Sequence, residues 1–296
     1  MSLIEPVLLL PADESGRTKM TEYIEKKYGI RPALTVARSI LSRPIEGYIV
    51  GKGKRYILVT ATHHALESIT TNIAFMLIDL LLSKENVGSI NGVDCKLLLS
   101  KFAFIIIPCV NPDGVELRLH GVADTPLKER QMRMSGGDLS TWQANSRGVD
   151  LNHNYDFGFV TYKTVERERG IVPGPTLYSG ESPESEPETH GVANLVRTLS
   201  PVAVVSLHTQ GEEIFFGPND EKSTRIADRL SSLTGYTLSL PEGTSAFGGL
   251  CDYTASLGIP SFTLELGRGR NPLPESDAPR IFSRVGKAVA ILPTLL

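Results

Sequence analysis

Four stretches of the chain, 56–60, 102–107, 202–207 and 261–264, are short, continuously apolar and rich in β-branched residues or phenylalanine. Such runs read as strands buried on both faces. Between them the pattern changes period. Residues 69–82 form a long apolar run that predicts a buried helix, and 18–28 predicts a helix closed by Gly29 and Pro32. Residues 34–37 and 47–50 read as further strands, the second joined to the 56–60 strand as a hairpin over Gly51-Lys52-Gly53-Lys54. Ser185-Glu186-Pro187-Glu188 has the form of a capping box, Ser185 as N-cap and Glu188 reaching back, for a helix to about residue 199. Asp220 is placed to cap a helix ended by Gly235, a Gly-rich loop 243–249 leads to a short helix 250–257, and 276–296 reads as a closing helix. From 115 to 147 the pattern dissolves, and long irregular segments inside compact domains are usually functional. Alternating strands and helices predict an α/β fold, with 1–296 as a single domain because no linker, repeat or composition break interrupts it.

Polar residues stand where these strands end. His63-His64 follows the 56–60 strand, His208 follows 202–207, and Glu265 follows 261–264. The carboxyl ends of parallel strands share one edge of a sheet, the edge at which open α/β sheets bind ligands. His64-x-x-Glu67 offers nitrogen and oxygen to a single Zn²⁺. The sequence by itself allows either His63 or His64 to pair with Glu67.

Composition narrows the partners. A formal net charge of −3 and a pI near 6.1, with no long Lys/Arg cluster, argue against nucleic acid. Three cysteines, Cys95, Cys109 and Cys251, are too few and odd in number for a disulfide framework and suit a reducing compartment. The apolar N-terminal stretch 3–11 is short, broken by Glu5 and Pro6 and lacks preceding basic residues, and nothing later reaches the length of a membrane span. A soluble, cytoplasmic protein is expected; the oligomeric state is left open.

Six pieces in order resemble the zinc carboxypeptidases: His64-x-x-Glu67, Asn111-Pro112-Asp113-Gly114, Gly148-Val149-Asp150-Leu151-Asn152, His208, Gly248-Gly249-Leu250-Cys251-Asp252 and Phe262-Thr263-Leu264-Glu265-Leu266. The resemblance runs from about Arg38 to Asn271. It implies a mixed, mainly parallel sheet of about eight strands flanked by helices on both faces, and one catalytic zinc per chain. It implies His64, Glu67 and His208 as zinc ligands and Glu265 as general base. Asp150 would orient a ligand imidazole. Arg133 would polarise the scissile carbonyl, with Arg130 as its rival. Where the family usually has Asn-Arg, the Arg clamping a substrate's terminal carboxylate, this chain has Asn152-His153. The tyrosine expected shortly before Gly248-Gly249 is replaced by a neighbourhood containing Thr244 and Ser245. Cys251 stands at the specificity position, small and neutral, which argues against a basic C-terminal residue.

Two runs, 142–148 and Glu265 to Pro274, are similar to a bacterial branch of the family that cuts γ-D-glutamyl-meso-diaminopimelate bonds, and there Arg268 and Arg270 would meet an acidic substrate. The leading expectation is therefore a zinc peptidase acting on short, cell-wall-derived peptides. A zinc deacylase or amidase on N-acyl amino acids, and a non-catalytic zinc-binding module, are the alternatives. Glu265 speaks against the last.

Overall fold

The computed structural model describes residues 4–85, 88–240 and 247–296. Helix α1 (Glu14–Tyr28) is capped by the Asp13 side chain and leads into strand β1 (Leu34–Arg38). Strands β2 (Pro44–Val50) and β3 (Arg55–Ala61) follow, then α2 (Ile69–Lys84), α3 (Cys95–Lys101) and β4 (Phe102–Ile107). After α4 (Pro112–His120), α5 (Lys128–Ser135), α6 (Phe159–Arg169) and α7 (Pro187–Leu199) come β5 (Ala203–His208) and β6 (Glu213–Gly217). The chain closes with α8 (Glu221–Thr234), β7 (Thr237–Leu238), α9 (Leu250–Ser256), β8 (Ser261–Glu265) and α10 (Ala278–Ile291).

One eight-stranded sheet has the spatial order β1-β2-β4-β3-β5-β8-β6-β7. Its centre, β4, β3, β5 and β8, is parallel, while β1, β2 and β6 join antiparallel. Period-two alternation divides β3, β4 and β5 between two cores. Ile57, Val59, Val205 and Leu207 face a core filled from α1, α2, α8 and α10, whereas Leu58, Ile105 and Val204 face one filled from α7, α9 and Leu151–Tyr155. Burial on both faces explains why these strands are continuous apolar runs. α2 is buried from Ile69 through Ile78 because the sheet covers one side and α10 another.

Three expectations are corrected. β2 and β3 form no hairpin: β4 lies between them and pairs with both. The glycines of 51–54 serve a crossing, since a Cβ on Gly53 would lie 1.9 Å from the Lys101 carbonyl carbon, and Lys52 N–H donates to Leu99 O at 2.7 Å. The segment 115–147 is not irregular throughout, for it holds most of α4 and all of α5. The capping box does not form: the N-cap of α7 is Glu186, and Glu188 is buried.

Glu188 carries a consequence for pH. Its Oε1 accepts from Ile40 N–H at 3.4 Å and Oε2 has no partner among the described residues. Burial, reinforced by Glu186 and Asp113, pushes its carboxyl up to about 8. The unfolded value is about 4.3, so this group's contribution to stability is full below that pH and declines by up to ~1.4 kcal/mol per pH unit until the folded value is reached. Glu188→Gln should therefore gain thermal stability relative to the parent as pH rises from 5 to 9. A constant difference between the two melting temperatures would show that Glu188 is ionised in the fold.

Candidate metal centre and active site

His208 is the last residue of β5 and Glu265 the last of β8, and the two are paired in register. His64 lies just past the end of β3, the neighbour of β5 on its other side. A 3₁₀ turn, Ala65–Glu67, then folds Glu67 back toward it. The shared strand edge thus brings together three residues far apart in sequence.

Their geometry is that of a cation site. Glu67 Oε1 lies 3.0 Å from His64 Nδ1, and Oε2 lies 3.0 Å from His208 Nδ1. The ligand atoms of His64, Glu67 and His208 all fall within 4.8 Å of one another. Two imidazoles and a carboxylate suit Zn²⁺ with bonds of ~2.0–2.2 Å, and three protein donors leave one position open. Burial would raise Glu67, but His64 and His208 hold its carboxyl down to about 2. Burial would lower His64, and the carboxylates of Glu67 and Asp150 outweigh it. Asp150 Oδ1 stands 3.1 Å from His64 Nε2, and its Oδ2 accepts from Leu177 N–H and Thr176 Oγ1. It remains ionised far below the ordinary range despite its burial. An Nε2–H directed at Asp150 leaves the Nδ1 lone pair of His64 facing the metal position.

A cavity of about 140 Å³ opens at this edge, lined in part by His64, His208, Glu265, Asn152, His153 and Cys251. Phe215, Phe216 and Asp252 also line it. Burial and the nearby Glu67 push the Glu265 carboxyl well up, against the pull of His64. Burial pushes Asp252 up to about 6 and the Cys251 thiol up to about 12, which keeps the thiol neutral. Asn152 Oδ1 accepts from Leu250 N–H, tying the Asp150–Asn152 turn to α9. A larger hollow of about 260 Å³ lies between α1 and β2, but its Arg43 is already paired with Glu14 and Asp113.

His153 is in the cavity wall but is not a free imidazole. Nδ1 lies 2.7 Å from Phe247 O and the ring stacks on Tyr162 with centroids 4.2 Å apart. Burial lowers its pKa, although Asp150 and the Phe247 carbonyl act the other way. Thr244 and Ser245 lie outside the described residues.

The arginines expected here are elsewhere. Arg133 is corrected: α5 buries Gln131 and leaves the Arg133 side chain 73% exposed, 3.9 Å from Glu129. Arg130 donates to Arg147 O at 3.0 Å. Arg268 is 72% exposed with Nε on Glu212, Arg270 is exposed, and neither lines the cavity. Among the described residues lining the cavity there is no Lys or Arg. Phe215 and Phe216 went unread because β6 was not visible as a strand. Thr176 and Leu177, which hold Asp150, carry no sequence signal at all.

The model of the zinc carboxypeptidase family matches residues 18–283, and the chain belongs to that family. It is 31% identical over 267 residues to gamma-D-glutamyl-L-diamino acid endopeptidase 1 of Lysinibacillus sphaericus, covering 88% of this chain and 66% of that protein. It is 32% identical over 110 residues to murein peptide amidase A of Escherichia coli strain K12, covering 35% of this chain and 34% of that one. This chain therefore spans just under two thirds of the first relative's length and about one third of the second's. The structure of bovine thrombin-activatable fibrinolysis inhibitor, solved in complex with tick carboxypeptidase inhibitor, matches with a TM-score of 0.75 over 97% of both chains at 22% identity, which shows a common fold. Among the described residues, no helix is long and apolar enough to cross a membrane.

Proposed function

We propose that this chain hydrolyses short, cell-wall-derived peptides with one zinc ion held by His64 Nδ1, the Glu67 carboxylate and His208 Nδ1. The observation that carries the reading is the convergence of these three donors with Glu265 on one cavity at the strand edge. Zinc in such a site lowers the pKa of a bound water and polarises the scissile carbonyl. Glu265 takes the proton of the attacking water on a carboxylate oxygen and delivers it to the leaving amine. Asp150 holds His64 in the tautomer whose Nδ1 lone pair faces the metal. The relatives named for γ-D-glutamyl-diamino acid and murein peptide bonds support the substrate class. Purified protein should contain about one zinc per chain and release diaminopimelate from L-Ala-γ-D-Glu-meso-diaminopimelate, read by mass spectrometry. Inertness toward that peptide, with cleavage of N-acyl amino acids, would favour a deacylase instead.

The cavity also speaks on the mode of cleavage. A terminal carboxylate is best gripped by a charged bidentate guanidinium. None is present among the described lining residues, and His153, with its lowered pKa and its Nδ1 engaged, is neutral above its ordinary ~6.5. Cleavage therefore does not depend on a free C-terminal carboxylate. The kcat/KM values of a peptide and of its C-terminal amide should agree within about threefold, with a ratio flat from pH 6.5 to 8. A preference above tenfold for the free acid would overturn this mode of binding.

A further inference from the structure

His63 is left without a task once His64 has been assigned. It has 0% exposure, and its Nδ1 has no hydrogen-bond partner among the described residues. An imidazole so buried costs desolvation energy, and a Leu or Phe would fill the space without it. What the ring touches gives it a role. It stacks on His208 with centroids 5.6 Å apart and planes 16° apart, while His64 meets the same ring edge-on at 4.9 Å.

The two ligand imidazoles are held differently. His64 has Asp150 on its far nitrogen. His208 Nε2 is buried and has no hydrogen-bond partner among the described residues. A histidine's second side-chain torsion is broad, so a ring without a hydrogen-bonded orienter is free to swing its Nδ1 off target. We propose that His63 is the positioning residue for His208: its flat ring forms one wall of a slot that fixes the rotation of the His208 ring and keeps Nδ1 on Glu67 and the metal. This inference rests on the metal assignment above.

The chain around His63 is built to hold that wall in place. Nε2 is 2.9 Å from the hydroxyl of Tyr155, itself fully buried and stacked on Tyr253. The His63 carbonyl accepts from Asn111 Nδ2 at 3.0 Å. In an extended strand consecutive side chains point to opposite sides, yet His63 and His64 both reach His208. The chain leaves the strand just before them at Thr62, whose φ of 56° is left-handed, a conformation a β-branched residue rarely adopts. Thr70 holds it, accepting from Thr62 N–H at 2.9 Å, and the hydroxyls of Thr70 and Thr71 each lie 2.8 Å from that of Thr62. Strain of this kind persists only where the surroundings enforce it, and it gathers at functional sites. His63 is not a fourth ligand, because it is absent from the convergent donor set and its Nε2 is engaged by Tyr155.

The test is the metal affinity of refilled apo-protein, by competition against a chromophoric chelator, together with the visible spectrum of the Co²⁺ form. His63→Leu, which removes the flat wall, should weaken zinc binding about 10- to 100-fold and shift the Co²⁺ bands. His63→Phe keeps a planar ring and should stay within about threefold of the parent with an unshifted spectrum, whatever it does to the melting temperature of the apo-protein. Tyr155→Phe frees the His63 ring without emptying the slot. It should show a smaller loss of the same sign, and it serves as the test if His63→Leu does not fold. Parental affinity in His63→Leu and Tyr155→Phe alike would overturn the inference, as would a His63→Phe as weak as His63→Leu. Failure of the parent itself to take up zinc would instead overturn the metal assignment and this inference with it.

Discussion

Glu265→Gln should leave zinc at about one per chain and lower kcat by roughly two to four decades, the scale of losing a positioned general base. The substitution is nearly isosteric at the end of β8, so the register with His208 and the cavity wall are kept. What changes is one capacity: an amide cannot accept a proton from water at neutral pH. The carboxyl is well suited to the task because burial and Glu67 raise its basicity. Metal analysis and single-turnover kinetics on the same preparation separate the two readouts. Loss of zinc from Glu265→Gln would make Glu265 a ligand, and the division of roles in the site would have to be redrawn.

The parts of this molecule legible in the sequence are those governed by local or one-dimensional rules. The central strands could be read because burial on both faces makes them continuous apolar runs, and their ends could be read because a polar residue abruptly follows. His208 and Glu265 are visible for that reason, and the parallel arrangement then places them side by side. Asp220 and Gly235 bound α8 as expected, since an Asp cap and a left-handed glycine act within a single turn. Pairing partners are another matter. The 51–54 glycines have the form of a hairpin turn but serve a crossing over the start of β4, a contact with a segment about fifty residues away. Two strands gave no signal either: β6 and β7 are short and only partly buried, so their periodicity is weak.

At the site the same division holds. Motif residues could be matched along the chain, whereas side-chain direction could not. Arg133 stands in a plausible stretch, but α5 turns it to solvent and buries Gln131 instead. His153 stands where a clamp was expected, and only the folded chain reveals Phe247 O against its Nδ1. Ser185-Glu186-Pro187-Glu188 fits the capping pattern, but burial of Glu188, whose Oε1 accepts from Ile40 N–H, overrides the local preference. Each of these failures is a tertiary contact outweighing a local rule.

His64→Ala should purify with almost no zinc, whereas His63→Ala should retain about one per chain. Removing His64 leaves a two-donor site, Glu67 and His208, and it strips Asp150 of the cation that holds its buried carboxylate ionised. A buried charge deprived of its partner typically costs 3–5 kcal/mol, so the apo form of His64→Ala should also melt below the parent, softened by the bonds Asp150 keeps to Leu177 and Thr176. Ligand that binds only the folded state stabilises it by RT ln(1 + [L]/Kd), about 2.7 kcal/mol at a hundredfold excess over Kd. Added zinc should therefore raise the melting temperature of the parent and of His63→Ala, the latter needing more metal because its His208 ring is less well held. The same addition should leave His64→Ala unmoved. Stoichiometric zinc in His64→Ala, or a zinc-dependent shift in its melting temperature equal to the parent's, would move the ligand role from His64 to its neighbour and leave the contact with Asp150 without a catalytic purpose.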